Sequence, residues 1–492
     1  MIKSFKRSAG ILLPIFSLPS KYGIGCFSKE AYDFVDRLYL SKQTYWQILP
    51  VNPTGCGDSP YQSFSSFAGN PYFVDFEALK KEGLISDKEL SEFDFSDSEK
   101  SVDYEKIKKS REKWFSVCFK NFDKSSLEFT SFCKKHKNWL DNYALYMALK
   151  EKFNDKEWSK WDEDIRFKKK SAVKKYSDEL SERINYHKFI QFEFFKQWTK
   201  LKKYANSKKV KIIGDIPIYV AYDSADAWEN PELFMLDKDL KPKLVAGCPP
   251  DEFSKKGQLW GNPVYNWTQH KATDYKWWIK RIKFSLTLYD VMRIDHFRGF
   301  ESFYAIKYGR SDAVEGKWLK GPGYQLFKAI KEKLGDIPII AEDLGFLTPA
   351  VHLLLKKTGF CGMKIFQFAF GGGKISDHIP YAYPENSVAY TGTHDNDTLM
   401  GWYEKLKKRD RLNVDEFIFS GEKNIGMIKC VLFSASYLAI IPMPDYFSLG
   451  SEARINIPST VGNNWKWRME KDAYNINLAK TIAKITKLSG RI

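Results

Sequence analysis

Three short segments, far apart in the chain, each set an acid at the end of an apolar, β-branched run. They are Val291-Met292-Arg293-Ile294-Asp295-His296-Phe297, Ile339-Ile340-Ala341-Glu342-Asp343-Leu344-Gly345 and Ala389-Tyr390-Thr391-Gly392-Thr393-His394-Asp395-Asn396-Asp397. Such runs read as buried parallel strands, whose side chains are apolar on both faces. A carboxylate at the carboxyl end of a strand of this kind lies where an α/β barrel carries its chemistry. Side chains alternate faces along a strand, so Arg293 and Asp295 point the same way. A guanidinium at that distance keeps an Asp ionised and fixes its rotamer, as a nucleophile requires. Glu342 ends the next strand and can face the same small space. Retaining glycosidases hold two carboxyl groups about 5–5.5 Å apart, one to attack and one to protonate the leaving oxygen and then deprotonate the acceptor. For Glu342 the second role calls for a raised pKa, which burial and a neighbouring anion supply. Asp343 alternates to the other face and reads as structural. In the third segment Asp395 can accept bonds from two sugar hydroxyls and distort the ring, while His394 donates to a hydroxyl. Asp397 is a candidate for holding that loop together.

Asp215, in Gly214-Asp215-Ile216-Pro217-Ile218-Tyr219, is a fourth strand-end acid. It is placed with the substrate-binding set as an inner supporter, nucleophile being its alternative role. Several loops offer flat apolar faces on which the C–H faces of a sugar can stack. The candidates are Tyr61 in Asp58-Ser59-Pro60-Tyr61, Trp260 in Gly257-Gln258-Leu259-Trp260-Gly261-Asn262-Pro263, and Phe253. Asp251, in Pro249-Pro250-Asp251, and Asn464, in Asn463-Asn464-Trp465, are candidates for binding sugar hydroxyls.

These residues need a scaffold, and strand-like and helix-like stretches alternate to provide one. Eight strands are expected, at Gly10–Leu13, Tyr45–Pro50, Lys211–Ile218, Asp290–Asp295, Ile337–Asp343, Gly362–Ala369, Ser387–Thr393 and Ser436–Pro442. Helix-period stretches such as Tyr32–Leu40, Gly323–Leu334, Pro349–Lys357 and Glu422–Phe433 lie between them. Eight such units argue for a closed (β/α)8 TIM barrel, with an open doubly wound sheet as the alternative. No G-x-G-x-x-G follows the first strand, which counts against a dinucleotide site. A plain barrel needs about 250 residues. The surplus falls into a Lys-rich, largely helical insertion over 79–204 and a loop-rich insertion over 220–277, both expected on the catalytic face. The barrel then comprises residues 1–78, 205–219 and 278–492.

Composition narrows the partners. No window approaches 18 uninterrupted apolar residues, so no membrane span is expected. The first apolar stretch, Ile11 to Leu18, is broken by Pro14 and reads as a strand rather than a leader. Seven scattered cysteines with no C-x-x-C fit a reduced, cytoplasmic chain without a zinc site. The formal net charge is +17, and residues 101–210 alone carry 28 Lys and Arg against 16 Asp and Glu. The positive residues are interleaved with acids and aromatics, as on solvated helix faces, and no nucleic-acid motif accompanies them.

With these motifs in hand, the chain resembles the amylomaltases, the 4-α-glucanotransferases or disproportionating enzymes of the α-amylase clan. The resemblance covers nearly the whole length. It begins at Gly10-Ile11-Leu12-Leu13 and Leu18-Pro19-Ser20, runs through Trp46-Gln47-Ile48-Leu49-Pro50, Ser59-Pro60-Tyr61 and residues 257–263, and takes in all three acid motifs. It implies a (β/α)8 barrel without a separate C-terminal β-domain. It also implies Asp295 as nucleophile, Glu342 as acid/base and Asp395 as transition-state stabiliser, with Arg293 and His394 in support and Tyr61, Asp251 and Trp260 in glucan-contacting loops. Two departures stand out. Pro444-Asp445 replaces a frequent Gln-Asp, and Ser459 replaces Gly in Arg454-Ile455-Asn456-Ile457-Pro458-Ser459-Thr460, where Gly would allow more backbone freedom. The expected activity is transfer of α-1,4-linked glucan segments between maltooligosaccharides, without cofactor or metal, by a monomer or dimer. Hydrolysis of α-glucans by the same acids is the alternative.

Overall fold

A computed structural model describes residues 6–250, 254–370 and 376–492. Its strands, in chain order, are β1 (Ser8–Leu12), β2 (Tyr45–Gln47), β3 (Lys211–Ile216), β4 (Leu244–Cys248), β5 (Gln258–Pro263), β6 (Val291–Ile294), β7 (Ser302–Lys307), β8 (Gly316–Lys320), β9 (Ile339–Ala341), β10 (Gly362–Ile365), β11 (Ser387–Tyr390) and β12 (Leu438–Pro442). Eight of them form one parallel sheet in the order β10-β11-β12-β1-β2-β3-β6-β9. A parallel bridge between Ile340 and Cys361, with the Ala341 N–H donating to the Cys361 carbonyl at 2.8 Å, joins the two outermost strands. The sheet therefore closes into a (β/α)8 barrel.

All eight expected strands are there, most of them ending earlier than their apolar runs. Strand pairing ends at Ile294, Ala341 and Tyr390, and the segments just beyond hold Asp295, Glu342 and Asp395. The face of β3 opposite to Asp215 is packed tightly enough that Gly214 is obligatory. A Cβ there would lie 2.1 Å from the ring of Tyr289. The outer helices bury one stripe each. In Lys29–Leu40 the buried residues are Ala31, Phe34, Val35 and Leu38, the i, i+3, i+4, i+7 spacing of a single face.

Helices at Tyr104–Asn121, Leu127–Lys152 and Ser181–Ser207 pack through rings such as Phe122 on Phe189 and Phe129 on Phe192. The last of these runs past residue 204 and rests against β3 and the helix Lys29–Leu40. Many of its neighbours' lysines face solvent and pair with acids, Lys109 with Glu105 and Lys108 with Asp155 among them. The segment after β3 is less loop-like than its Gly and Pro content implies. It supplies β4 and β5, which join β7 and β8 in an antiparallel sheet of order β5-β4-β7-β8. Among the described residues no strand follows β12, and the final helix, Ile476–Leu488, docks on Lys29–Leu40.

Candidate active site

Barrel register brings Asp295 and Glu342 together. Past the last paired residues, the Asp295 N–H still donates to the Ile216 carbonyl and the Glu342 N–H to the Ile294 carbonyl, each at 3.0 Å. The two acids thus leave neighbouring strands at the same level. Directly after Asp295 the backbone of His296 turns left-handed (φ 48°, ψ 49°). That conformation is uncommon for a residue with a Cβ. It aims the His296 N–H at Glu342 Oε2, 2.8 Å away.

Arg293 is the hub beneath them. Its side chain is 1% exposed, and its Nη2 lies 2.8 Å from Glu342 Oε2 and 3.1 Å from Asp295 Oδ1. Two oxygens that share one nitrogen at those distances are less than about 6 Å apart, a bound that admits the about 5–5.5 Å of a retaining pair. Nη1 donates to Asp215 Oδ2 at 2.5 Å. The side chains of Asp295, Glu342 and Asp395 remain 25%, 19% and 38% exposed, so all three can be reached from the barrel mouth. The side chain of Asp215 is 0% exposed. It cannot meet a sugar, so its place in the substrate-binding set is corrected. It lies behind Arg293, as an inner supporter does.

Tyr61 links this core to the third acid. Its hydroxyl donates to Asp215 Oδ2 at 2.9 Å, and His394 Nε2 lies 2.9 Å from the same oxygen. The phenol has one proton to give, so His394 Nε2–H is the donor in the second bond. The two rings are stacked, 5.3 Å apart and 11° from parallel. Asp395 follows His394, and Asn456 Nδ2 holds its Oδ1 at 2.6 Å while Arg454 Nη2 holds its backbone carbonyl at 2.7 Å. The loop carrying both is braced by Asp445, buried at the end of β12. That carboxylate accepts from Thr391 Oγ1 at 2.5 Å and from the Leu399 N–H at 2.8 Å.

The proton distribution differs from the sequence expectation. Burial pushes Glu342 up, but the charge of Arg293, a bond from Asp295 and the His296 N–H together bring it down to about 2. Burial, and then the charge of Glu342, push Asp295 well above its usual range despite Arg293. The two side chains titrate as one coupled pair, which holds a single proton between its first and second ionisations. Burial opposes the charge on Arg293, but Asp215, Glu342 and Asp295 more than restore it.

Of the loop candidates, Trp260 is half-buried, with its ring edge-on to His296 at 4.8 Å and therefore beside Asp295. Asn464 does a different job from the one expected. Its amide donates to the Thr460 carbonyl at 2.9 Å and accepts from the Ile457 N–H at 2.9 Å, tying together the loop in which it sits. Asp251 and Phe253 lie outside the described residues. Asn456, Arg454 and Asp445 escaped the sequence reading as site residues, although all three fall in segments it quoted. Nothing local distinguishes a bracing Asn or Asp from any other loop residue. Among the described residues no group of three or more His, Cys, Asp or Glu side chains is arranged to hold a metal ion, and no helix is long and apolar enough to cross a membrane.

Known proteins share this architecture. A family model described as 4-alpha-glucanotransferase matches residues 13–474. A 4-alpha-glucanotransferase of Clostridium butyricum is 50% identical over 483 residues, 97% of this chain and 99% of that one. One of Streptococcus pneumoniae is 47% identical over 494 residues, 99% of this chain and 98% of that one. The solved amylomaltase of Streptococcus agalactiae, in complex with acarbose, superposes with a TM-score of 0.96 at 41% identity, over 99% of this chain and all of that one.

Proposed function

The chain belongs to the 4-alpha-glucanotransferase family, and from that membership we propose that it moves α-1,4-linked segments between maltooligosaccharides by double displacement with retention. The one proton of the carboxyl pair first comes to sit on Glu342. The Asp295 carboxylate then attacks C1 as Glu342 gives its proton to the departing glycosidic oxygen, leaving a covalent β-glycosyl-enzyme and a free glucan end. Glu342, now an anion, takes the proton from the 4-OH of an acceptor glucan. That oxygen displaces Asp295 from C1 and restores the α linkage. Asp395, held by Asn456, accepts hydroxyl bonds that tighten as the ring flattens toward the oxocarbenium ion. Arg293 keeps the total charge of the carboxyl pair in check throughout.

The observation that carries this reading is the sharing of Arg293 Nη2 by Asp295 and Glu342, at 3.1 and 2.8 Å. No cofactor enters, because the donor bond supplies the energy of the new one. The acarbose complex of the Streptococcus agalactiae amylomaltase supports an oligosaccharide substrate. Cys26, Cys118, Cys361 and Cys430 are buried as thiols, in keeping with a reducing, cytoplasmic setting. Pure protein incubated with maltotriose is expected to yield glucose together with a ladder of longer oligomers. A product set made only of shorter sugars would instead establish hydrolysis. Asp295→Asn is expected to abolish both.

A further inference from the structure

Arg298, three residues beyond Asp295, joins two solvent-facing aromatic rings from different parts of the fold. Its side chain is buried, with the guanidinium 3.8 Å from the ring centroid of Trp318 on β8 and 6.0 Å from that of Phe346. It donates to the Phe346 carbonyl and, at 3.1 Å, to Ser302 Oγ. Phe346 follows Glu342 by four residues, in the loop after β9, and is 72% exposed; Trp318 is 38% exposed. The edge of Trp318 also rests on buried Tyr304, with centroids 5.3 Å apart. The Trp318 ring and the Phe346 backbone are therefore held in place while both rings meet water, which forfeits the roughly 25 cal/mol per Å² that burying them would yield.

We propose that Trp318 and Phe346 form a stacking platform for the glucan on the leaving-group side of the scissile bond, where the acceptor later binds. This rests on the transfer reading above. Glu342 must meet the oxygen that joins the two halves of the substrate, and its own loop reaches Phe346 within about 14 Å of extended chain. Phe346 therefore lies within about one or two sugar-chain steps of the acid/base. A sugar offers apolar C–H faces to such rings. The Arg298 charge lies against one face of Trp318 and fixes its plane. The ligand class is a maltooligosaccharide of two or more units, since a single glucose beside Glu342 would not extend to the rings.

The test uses amylose as donor and compares glucose with maltotriose as acceptor. Phe346→Ala and Trp318→Ala are each expected to lower the ratio of kcat/KM for maltotriose over glucose about three- to tenfold, and Phe346→Trp to restore it. Phe346 is exposed, so its truncation leaves the core intact. An unchanged ratio in both Ala variants overturns the proposal, as does a shift in elution volume on Phe346→Ala, which would assign the rings to self-association. The two readings fail differently. A parent protein that transfers nothing sinks the glucan-transfer reading and this inference with it, whereas normal transfer with an unchanged ratio sinks only the platform.

Discussion

Asn456 donates its side-chain amide to Asp395 Oδ1 at 2.6 Å, across 61 positions of sequence. The bond fixes the rotamer of an acid whose side chain is otherwise 38% exposed. Without it, Asp395 can swing by an ångström or so, enough to cost about 10²-fold in a well-aligned site. Asn456→Ala is therefore expected to lower kcat by roughly ten- to a hundredfold while KM for maltotriose moves much less. A proportional rise in KM with kcat preserved would instead make Asn456 a residue for ground-state binding.

Arg293 answers to three carboxyl groups at once, and its side chain is 1% exposed. Arg293→Ala leaves Asp215 buried beside Glu342 with no cation, a defect that typically costs about 3–5 kcal/mol. Arg293→Lys keeps the charge, but a single ammonium cannot reach Asp215 on one side and both Asp295 and Glu342 on the other. The Lys variant is expected to unfold in urea closer to the parent than the Ala variant does, yet to lose at least about a hundredfold in kcat. Near-parental turnover by Arg293→Lys would show that charge alone, and not the forked geometry, is required.

The pH profile follows from the proton that Asp295 and Glu342 share. Catalysis needs one proton on the pair, whichever oxygen holds it at rest. A second proton arrives only as pH falls toward the depressed value of Glu342, about 2. The shared proton leaves only as pH climbs through the raised value of Asp295. The acid limb of kcat/KM is accordingly expected below the ordinary carboxylate range and the alkaline limb well above it, with a broad plateau between. An acid limb near 4.5 with full activity just above it would mean that Glu342 titrates independently of its neighbour.

What could be read in advance follows from what is local. The eight strands announce themselves through apolar runs, and period-two alternation places Arg293 and Asp295 on one side. The hairpin β7–β8 is not legible, because Gly316–Lys320 is mostly exposed and carries neither an apolar run nor a clean alternation. The direction of the Glu342 shift was out of reach for a different reason. It depends on the Nη2 of Arg293 and on the N–H of His296, and the latter points at Glu342 only because His296 turns left-handed. Asn464 looked like a hydroxyl binder because an Asn next to Trp465 has the right chemistry; only the folded loop reveals that Ile457 and Thr460 occupy its amide.

Ser459 adopts φ 65°. The side chain is exposed, so no packing offsets the conformational penalty, on the order of 1 kcal/mol for a residue outside Gly in this region. Ser459→Val adds a β-branch and should raise that penalty further, whereas Ser459→Gly relieves it and gains unfolded-state entropy in exchange. The expected order of resistance to proteolysis within residues 457–464 has Val below both Ser and Gly. Equal resistance for Val would show that the loop adopts another conformation in solution.

Asp445 offers a test of how the Asp395 loop is held. Burial, eased by bonds from Thr391 and Leu399, pushes its pKa from 3.8 up to about 7. A raised acid adds stability that is fully present below the unfolded value and is lost as pH rises through the folded one. Between pH 4 and 7 the unfolded chain ionises while the folded chain does not, so Asp445 makes the parent progressively less stable across that window. The full swing is on the order of 4 kcal/mol. Asp445→Asn keeps both bonds, its oxygen accepting from Leu399 and its amide donating to Thr391, and it cannot ionise. Its stability relative to the parent, measured by urea unfolding, is expected to climb as pH goes from 4 to 7. Asp445→Ala loses both bonds and is expected to lower kcat at every pH, because the segment carrying Asp395 is then released at Thr391 and Leu399 together. A stability difference between the Asn variant and the parent that stays flat with pH would show that Asp445 is ionised throughout and braces the loop as an anion.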